Sequence, residues 1–165
     1  MLYAAYGSNL HPRRLTQRIA SARLIATRFL PDWSLHFHKQ SQDGSAKCNI
    51  LRGDHGVHFA IYDITADDKL VLDGIEGVGA GYSNTSLSVP GLGHCATYAA
   101  QPSYIDDSLV PYDWYRELVV VGARAHGFPA RYLARIESTL AHADPDAERR
   151  KRSWKTIDWV KSNNP

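Results

Sequence analysis

Leu2-Tyr3-Ala4-Ala5-Tyr6 is a short apolar run, and Gly7-Ser8-Asn9-Leu10-His11-Pro12 follows it directly. The run is continuous rather than alternating, so it reads as a buried strand. Glycine then permits a tight turn and a close approach of a ligand to the backbone. Asn9 is expected to cap a helix that Pro12 begins and that runs to about Ile19. Amides at such a helix start lack partners within the helix and attract an anion. By itself this strand, turn and helix start is common, and a purely structural turn explains it at least as well.

Working outward, two strand-like runs lie between Ala22 and His38, broken at Pro31-Asp32. In the second, Trp33, Leu35 and Phe37 share one face, while Ser34, His36 and His38 share the other. Gln42-Asp43-Gly44-Ser45 has turn chemistry, and Val57 to Ile64 is a further strand. Thr65 with Asp68 three residues on marks a helix start, carrying Leu70, Leu72 and Ile75. Gly77, Gly79 and Gly81 end it in an open loop. Tyr82 to Val89 and His94 to Ala100 form a hairpin across Pro90-Gly91-Leu92-Gly93. Trp114, Leu118, Val121 and Ala125 then make one helical stripe that stops near Gly127, and Pro129 opens a helix through Tyr132, Leu133, Ile136 and Leu140. Hairpins followed by helices give an α+β layout. The expectation is about six strands, curled or closed into a small mixed β-barrel with flanking helices.

The 165 residues suit a single domain, with a helical extension from about residue 145. A hydrophobic share of 44% and a charged share of 22% are ordinary for a globular chain and exclude a low-complexity one. The net charge is +2. Its one dense basic run, Arg149-Arg150-Lys151-Arg152 with Lys155, stands beside Asp144, Asp146 and Glu148 and reads as a solvated helix face. Nucleic-acid binding is therefore not expected, the only aromatic in the run being Trp154. The opening residues show no secretory leader, and no apolar stretch has the length of a membrane span. Cys48 and Cys95 lie far apart without metal spacing. A cytoplasmic protein with reduced, buried thiols is the expectation, as a monomer or homodimer.

Leu72-Asp73-Gly74-Ile75-Glu76-Gly77-Val78 places an acid at a helix C-terminus, in apolar company and between glycines. The partial negative charge of a helix C-terminus disfavours another negative group, and desolvation acts the same way. Both move Glu76 toward the range in which a carboxyl trades protons near neutral pH. An exposed acid on a loop remains an equally good reading of Glu76 alone.

Taken together, Tyr6-Gly7-Ser8-Asn9-Leu10 and, about 65 residues on, Leu72-Asp73-x-x-Glu76-Gly77-Val78 resemble the γ-glutamyl cyclotransferase family. Pro111-x-x-x-Tyr115, Gly122-Ala123, Gly127, Pro129 and Tyr132 are similar to the family's closing pattern. The resemblance covers about residues 1 to 135. It implies a small mixed β-barrel and conversion of a γ-glutamyl compound to 5-oxoproline with release of an amine or amino acid. It also implies that Glu76 is the catalytic acid/base, that Tyr6, Gly7, Ser8, Asn9, Leu10 and His11 form the substrate-binding loop, and that Tyr115 contacts substrate. His11, Pro12 and Phe128 depart from the family pattern. The chemistry suits these residue types. The substrate's α-amine is the nucleophile, so ring closure is intramolecular and positioning supplies rate. No metal, cofactor or nucleophilic side chain is required.

The pairs His36/His38 and His55/His58 have no third ligand at matching spacing, so a metal site is not expected. Lys47, Asn49 and Tyr82 are open as pocket residues. Two other readings stay open: a γ-glutamylamine cyclotransferase, and a non-catalytic ligand-binding or interaction module on the same fold.

Overall fold

The computed structural model describes residues 1–162. Strand β1 (Leu2–Ala5) is the middle of a five-stranded sheet. It pairs antiparallel with β5 (Val57–Asp63) on one side and parallel with β7 (Gly93–Ala100) on the other. Outside these lie β2 (Arg23–Leu30) and β6 (Tyr82–Val89), giving the order β2-β5-β1-β7-β6. The unbroken apolar run of β1 follows from this place. Ala4 and Ala5 are covered on both faces, and small side chains let the layers close over the strand.

The remaining strands, β3 (Trp33–Gln40) and β4 (Ala46–Arg52), form a separate hairpin. Asn49 on β4 ties it to the main sheet by accepting the Ala100 amide at 2.8 Å. There are thus seven strands where the sequence suggests about six. The seventh, β4, is hidden because Cys48 and Asn49 are both buried, which breaks polar–apolar alternation. Among the described residues the ladders make an open sheet plus a hairpin, and no strand pairing closes a ring.

Five helices complete the α+β fold: α1 (Pro12–Arg18), α2 (Ala66–Glu76), α3 (Asp113–Ala125), α4 (Ala130–Glu137) and α5 (Ala147–Ser162). The cap of α1 is His11, whose Nδ1 accepts the Arg13 amide at 3.2 Å, and not Asn9. Thr65 caps α2 through the Asp68 amide, as its spacing suggests. Gly77, at φ 68°, ends that helix in the left-handed conformation that glycine adopts without strain. The last helical residue before it is Glu76. Helix α4 stops at Glu137, three residues short of the exposed Leu140. Trp114 at the start of α3 donates its indole N–H to the buried Asp144 at 2.9 Å, and Arg149 of α5 grips the same carboxylate with two nitrogens, each 2.6 Å away. This clasp packs α5 along α3. None of the described helices is long and apolar enough to cross a membrane.

Candidate active site

The chain leaves the centre of the sheet at Tyr6 and turns back at once, the Leu10 amide bonding the Gly7 carbonyl at 3.0 Å. Leu10 is fully buried, and its carbonyl accepts from the Tyr62 hydroxyl at 2.6 Å and faces Nε2 of His126 at 2.7 Å. A ring nitrogen opposite a carbonyl carries the proton, so His126 is the donor. Gly122 on α3 permits the same approach: a Cβ there would lie 2.5 Å from Leu10 Cβ and 2.9 Å from the His11 nitrogen. The loop is therefore pinned to α3 at two points. Gly7 fits against β4 for a similar reason, since a Cβ there would meet Cys48 Cβ at 3.1 Å and the Tyr115 hydroxyl at 3.5 Å.

Glu76 lies across from this loop. One of its carboxylate oxygens, Oε1, accepts from Arg18 at 2.7 Å and from the Asn9 side-chain amide at 3.0 Å. The same Arg18 nitrogen donates to Asn9 Oδ1 at 2.9 Å, and Asn9 also donates to the Tyr3 hydroxyl at 3.1 Å. The three side chains make a closed triangle that holds the carboxylate in one orientation. Arg18 is a cation that the sequence reading lacks, and it opposes the repulsion between Glu76 and its own helix end. Its signal was available: Arg14 and Arg18 are four apart, hence on one face of the short helix after the loop.

The Glu76 carboxylate borders a small recess of about 20 Å³, walled by Tyr6, Gly7, Ser8, Asn9 and Tyr115 among others. A larger cavity of about 300 Å³ adjoins it, sharing Ser8, Glu76, Tyr82 and Tyr115. Six of the eight residues singled out from sequence thus converge on one place. Leu10 and His11 do not: the first is a buried anchor and the second caps α1. The Tyr6 hydroxyl is already committed to the Tyr98 carbonyl at 2.7 Å, so Tyr6 offers the recess only its ring. The Tyr115 hydroxyl accepts the Cys48 amide at 3.1 Å and also hydrogen-bonds the Cys48 side chain. Lys47 and Tyr82 line the larger cavity, whereas Asn49 lies behind it against His38.

Burial, as the largest effect, pushes the Cys48 thiol up to about 12 and the Tyr6 and Tyr115 hydroxyls well above their ordinary values. At neutral pH none of them is an anion, which leaves Glu76 as the carboxylate of the site. Among the described residues no three His, Cys, Asp or Glu side chains are grouped so as to hold a metal ion. His38 instead bonds Asp107 at 2.7 Å and Asn49 at 3.0 Å.

No family model matches the sequence, and no curated protein does. The fold has clear likenesses. A γ-glutamyl cyclotransferase superposes with a TM-score of 0.80 over 99% of both chains at 22% identity. An uncharacterized protein from Homo sapiens superposes at 0.78 over 97% of both, at 24% identity. YkqA from Bacillus subtilis does so at 0.68 and 16% identity, over 86% of this chain and 55% of its own. The fold is therefore γ-glutamyl cyclotransferase-like along the whole chain. At these identities the likeness defines the fold and not the reaction.

Proposed function

We propose that the protein is a γ-glutamyl cyclotransferase, releasing 5-oxoproline and a free amine from a small γ-glutamyl compound without a cofactor. The observation that carries this reading is the Glu76 carboxylate, oriented by Arg18 and Asn9 and bordering the recess formed by the Gly7-Ser8-Asn9 turn. Fold likeness to a γ-glutamyl cyclotransferase supports it.

The substrate's γ-glutamyl half lies where the recess opens into the larger cavity, at the shared Ser8, Glu76 and Tyr115, with its α-amine beside Glu76. The free Glu76 oxygen takes a proton from the ammonium as the amine attacks the γ-carbonyl carbon. A C–N bond forms, closing the five-membered ring, and the carbonyl oxygen becomes an oxyanion for which Tyr115 is the donor. Glu76 returns this proton to the leaving nitrogen as the oxyanion collapses to a carbonyl and the original C–N bond breaks. The second proton, shed by the ring nitrogen, passes by the same carboxylate to the released amine, which departs as an ammonium. Holding the substrate folded supplies much of the rate, because both reacting groups belong to one molecule.

The test is incubation with γ-glutamyl dipeptides and γ-glutamylamines, measuring 5-oxoproline. Formation of 5-oxoproline, unaffected by EDTA, is expected. Activity lost on chelation and restored by zinc or magnesium would sink the metal-free mechanism, and no 5-oxoproline from any compound would sink the reaction itself.

A further inference from the structure

The mechanism uses Glu76 and the Tyr115 hydroxyl, yet the larger cavity is lined by Arg14, Arg18, Lys39, Lys47, Arg149 and Arg152 against Glu76 as its carboxylate. Three of these cations already hold an acid. Arg18 pairs with Glu76 at 2.7 Å, Lys47 with Asp43 at 2.7 Å, and Arg149 with Asp144 at 2.6 Å. Arg14, Lys39 and Arg152 take part in none of the ion pairs among the described residues.

Lys39 is the most telling. Only 7% of it is exposed, and its ammonium rests on the Tyr82 ring, 4.6 Å from the centroid. A bulge between Phe37 and Lys39 explains how it turns inward: His38 and Lys39 are neighbours, yet both are buried. Gly81 makes the room, since a Cβ there would lie 2.6 Å from Nζ. Burial lowers the Lys39 pKa and outweighs the opposing charges of Glu76 and Asp43, neither of which forms an ion pair with it. Arg14 is similarly placed. Its Nε is buried without a hydrogen-bond partner, and burial, with Arg18 nearby, draws its pKa down to about 10. Crowding cations in this way is unfavourable until an anion arrives.

A γ-glutamyl group is a zwitterion: its one carboxylate needs one cation and its ammonium goes to Glu76. Two unpaired cations then remain for the other half of the substrate. We propose that this other half, the leaving amine, carries at least two negative charges, as a dicarboxylic amino acid does with two and a phosphate-bearing one with up to about three, and that Arg152 of α5 selects for it. The proposal rests on the cyclotransferase reading and extends it to the leaving group. A cationic leaving group such as lysine would be repelled by the same wall.

The experiment compares kcat/KM for γ-glutamyl-glutamate, γ-glutamyl-O-phosphoserine, γ-glutamyl-alanine and γ-glutamyl-ethylamide. Each added negative charge is expected to raise kcat/KM about tenfold, an advantage that shrinks as salt is raised. The glutamate and phosphoserine arms tell carboxylate from phosphate. Arg152→Gln should collapse the preference for the glutamate and phosphoserine compounds. Lys151→Gln, one charge fewer on the same helix but outside the cavity, should keep it. Equal or better turnover of the alanine or ethylamide compound overturns the proposal, and so does an Arg152→Gln enzyme that still prefers the glutamate and phosphoserine compounds. If nothing yields 5-oxoproline, the reaction assignment falls by itself, and calorimetric titration decides the rest. Tighter binding of γ-glutamyl-glutamate than of γ-glutamyl-alanine sustains an anion-selecting wall; equal or absent binding overturns it.

Discussion

At the scale of single residues, Glu76 separates the two contributions that a catalytic acid makes. Glu76→Gln keeps the shape and one acceptor oxygen but accepts no proton. Turnover should fall by roughly 100- to 10,000-fold, the usual worth of a general base, with little change in KM. From the helix dipole alone, removing this charge would cost nothing or gain up to about 1 kcal/mol. The ion pair changes the sign, because Arg18 is only 19% exposed and keeps an acceptor oxygen but loses its counter-charge. A charged hydrogen bond is worth roughly 1.5–3 kcal/mol, so the variant should melt a few degrees earlier. Normal turnover in Glu76→Gln would make Glu76 structural. Tyr115→Phe tests a different balance. It removes the acceptor of the Cys48 amide in a buried place, which costs about 1–3 kcal/mol. A thermal melt that shows no loss would mean the amide has found another acceptor.

At the scale of elements, the loop after β1 is placed by α3 more than by its own turn. The contact of Gly122 with Leu10 and His11 allows the two backbones to meet. Alanine at 122 would favour the helix by about 1 kcal/mol, but its methyl would clash with the loop backbone, and overpacking typically costs roughly 1–3 kcal/mol. The clash should win. Gly122→Ala should melt earlier and lose about 10- to 100-fold in kcat/KM, since a displacement near 1 Å from the reacting geometry has that effect. A more stable, fully active variant would show that the loop has slack. The same contact explains why Gly122-Ala123, far from Glu76 in sequence, belongs to the pattern that suggested the family.

At the scale of the whole molecule, α5 supplies one wall of the large cavity, held by Ile157 and Val160 in the core, by ion pairs of Arg150 with Asp113 and Lys161 with Glu117, and by the buried Asp144. Burial alone would raise the Asp144 pKa, but hydrogen bonds from Arg149, Trp114 and the Asp146 amide outweigh it and bring it to about 2. An aspartate of the unfolded chain titrates near 3.9. With the folded value depressed, this stabilisation is fully present above about pH 4 and is lost as pH falls toward 2. Docking of α5 should therefore weaken in that window, read as a change in the fluorescence of Trp114 and of Trp154 and Trp159 on α5. Asp144→Asn should lose this acid-sensitive part of the change and melt earlier at neutral pH, while Ile157 and Val160 keep α5 in the core. An acid transition that is identical in Asp144→Asn would assign it to other groups.

Local pattern alone determined much of this protein. The β1 run, the hairpin across Pro90–Gly93, the Thr65 cap and the stripe on α3 each follow from neighbours a few residues apart. So does the position of Glu76 at the end of α2, because Gly77 ends the helix there. Other features depended on partners distant in the chain. Strand β4 stayed hidden because Asn49 is buried against His38 and the Ala100 amide, satisfactions that no local alternation encodes. Arg18 reads as an ordinary basic residue until folding sets it 2.7 Å from a carboxylate 58 positions away. Lys39 and Arg152 gained their place from a bulge and from a helix clasped by Asp144. Hydrophobic period and turn chemistry act over one or two turns of chain. The charges that surround a cavity are assembled from several elements, and only the packing of those elements decides which of them meet.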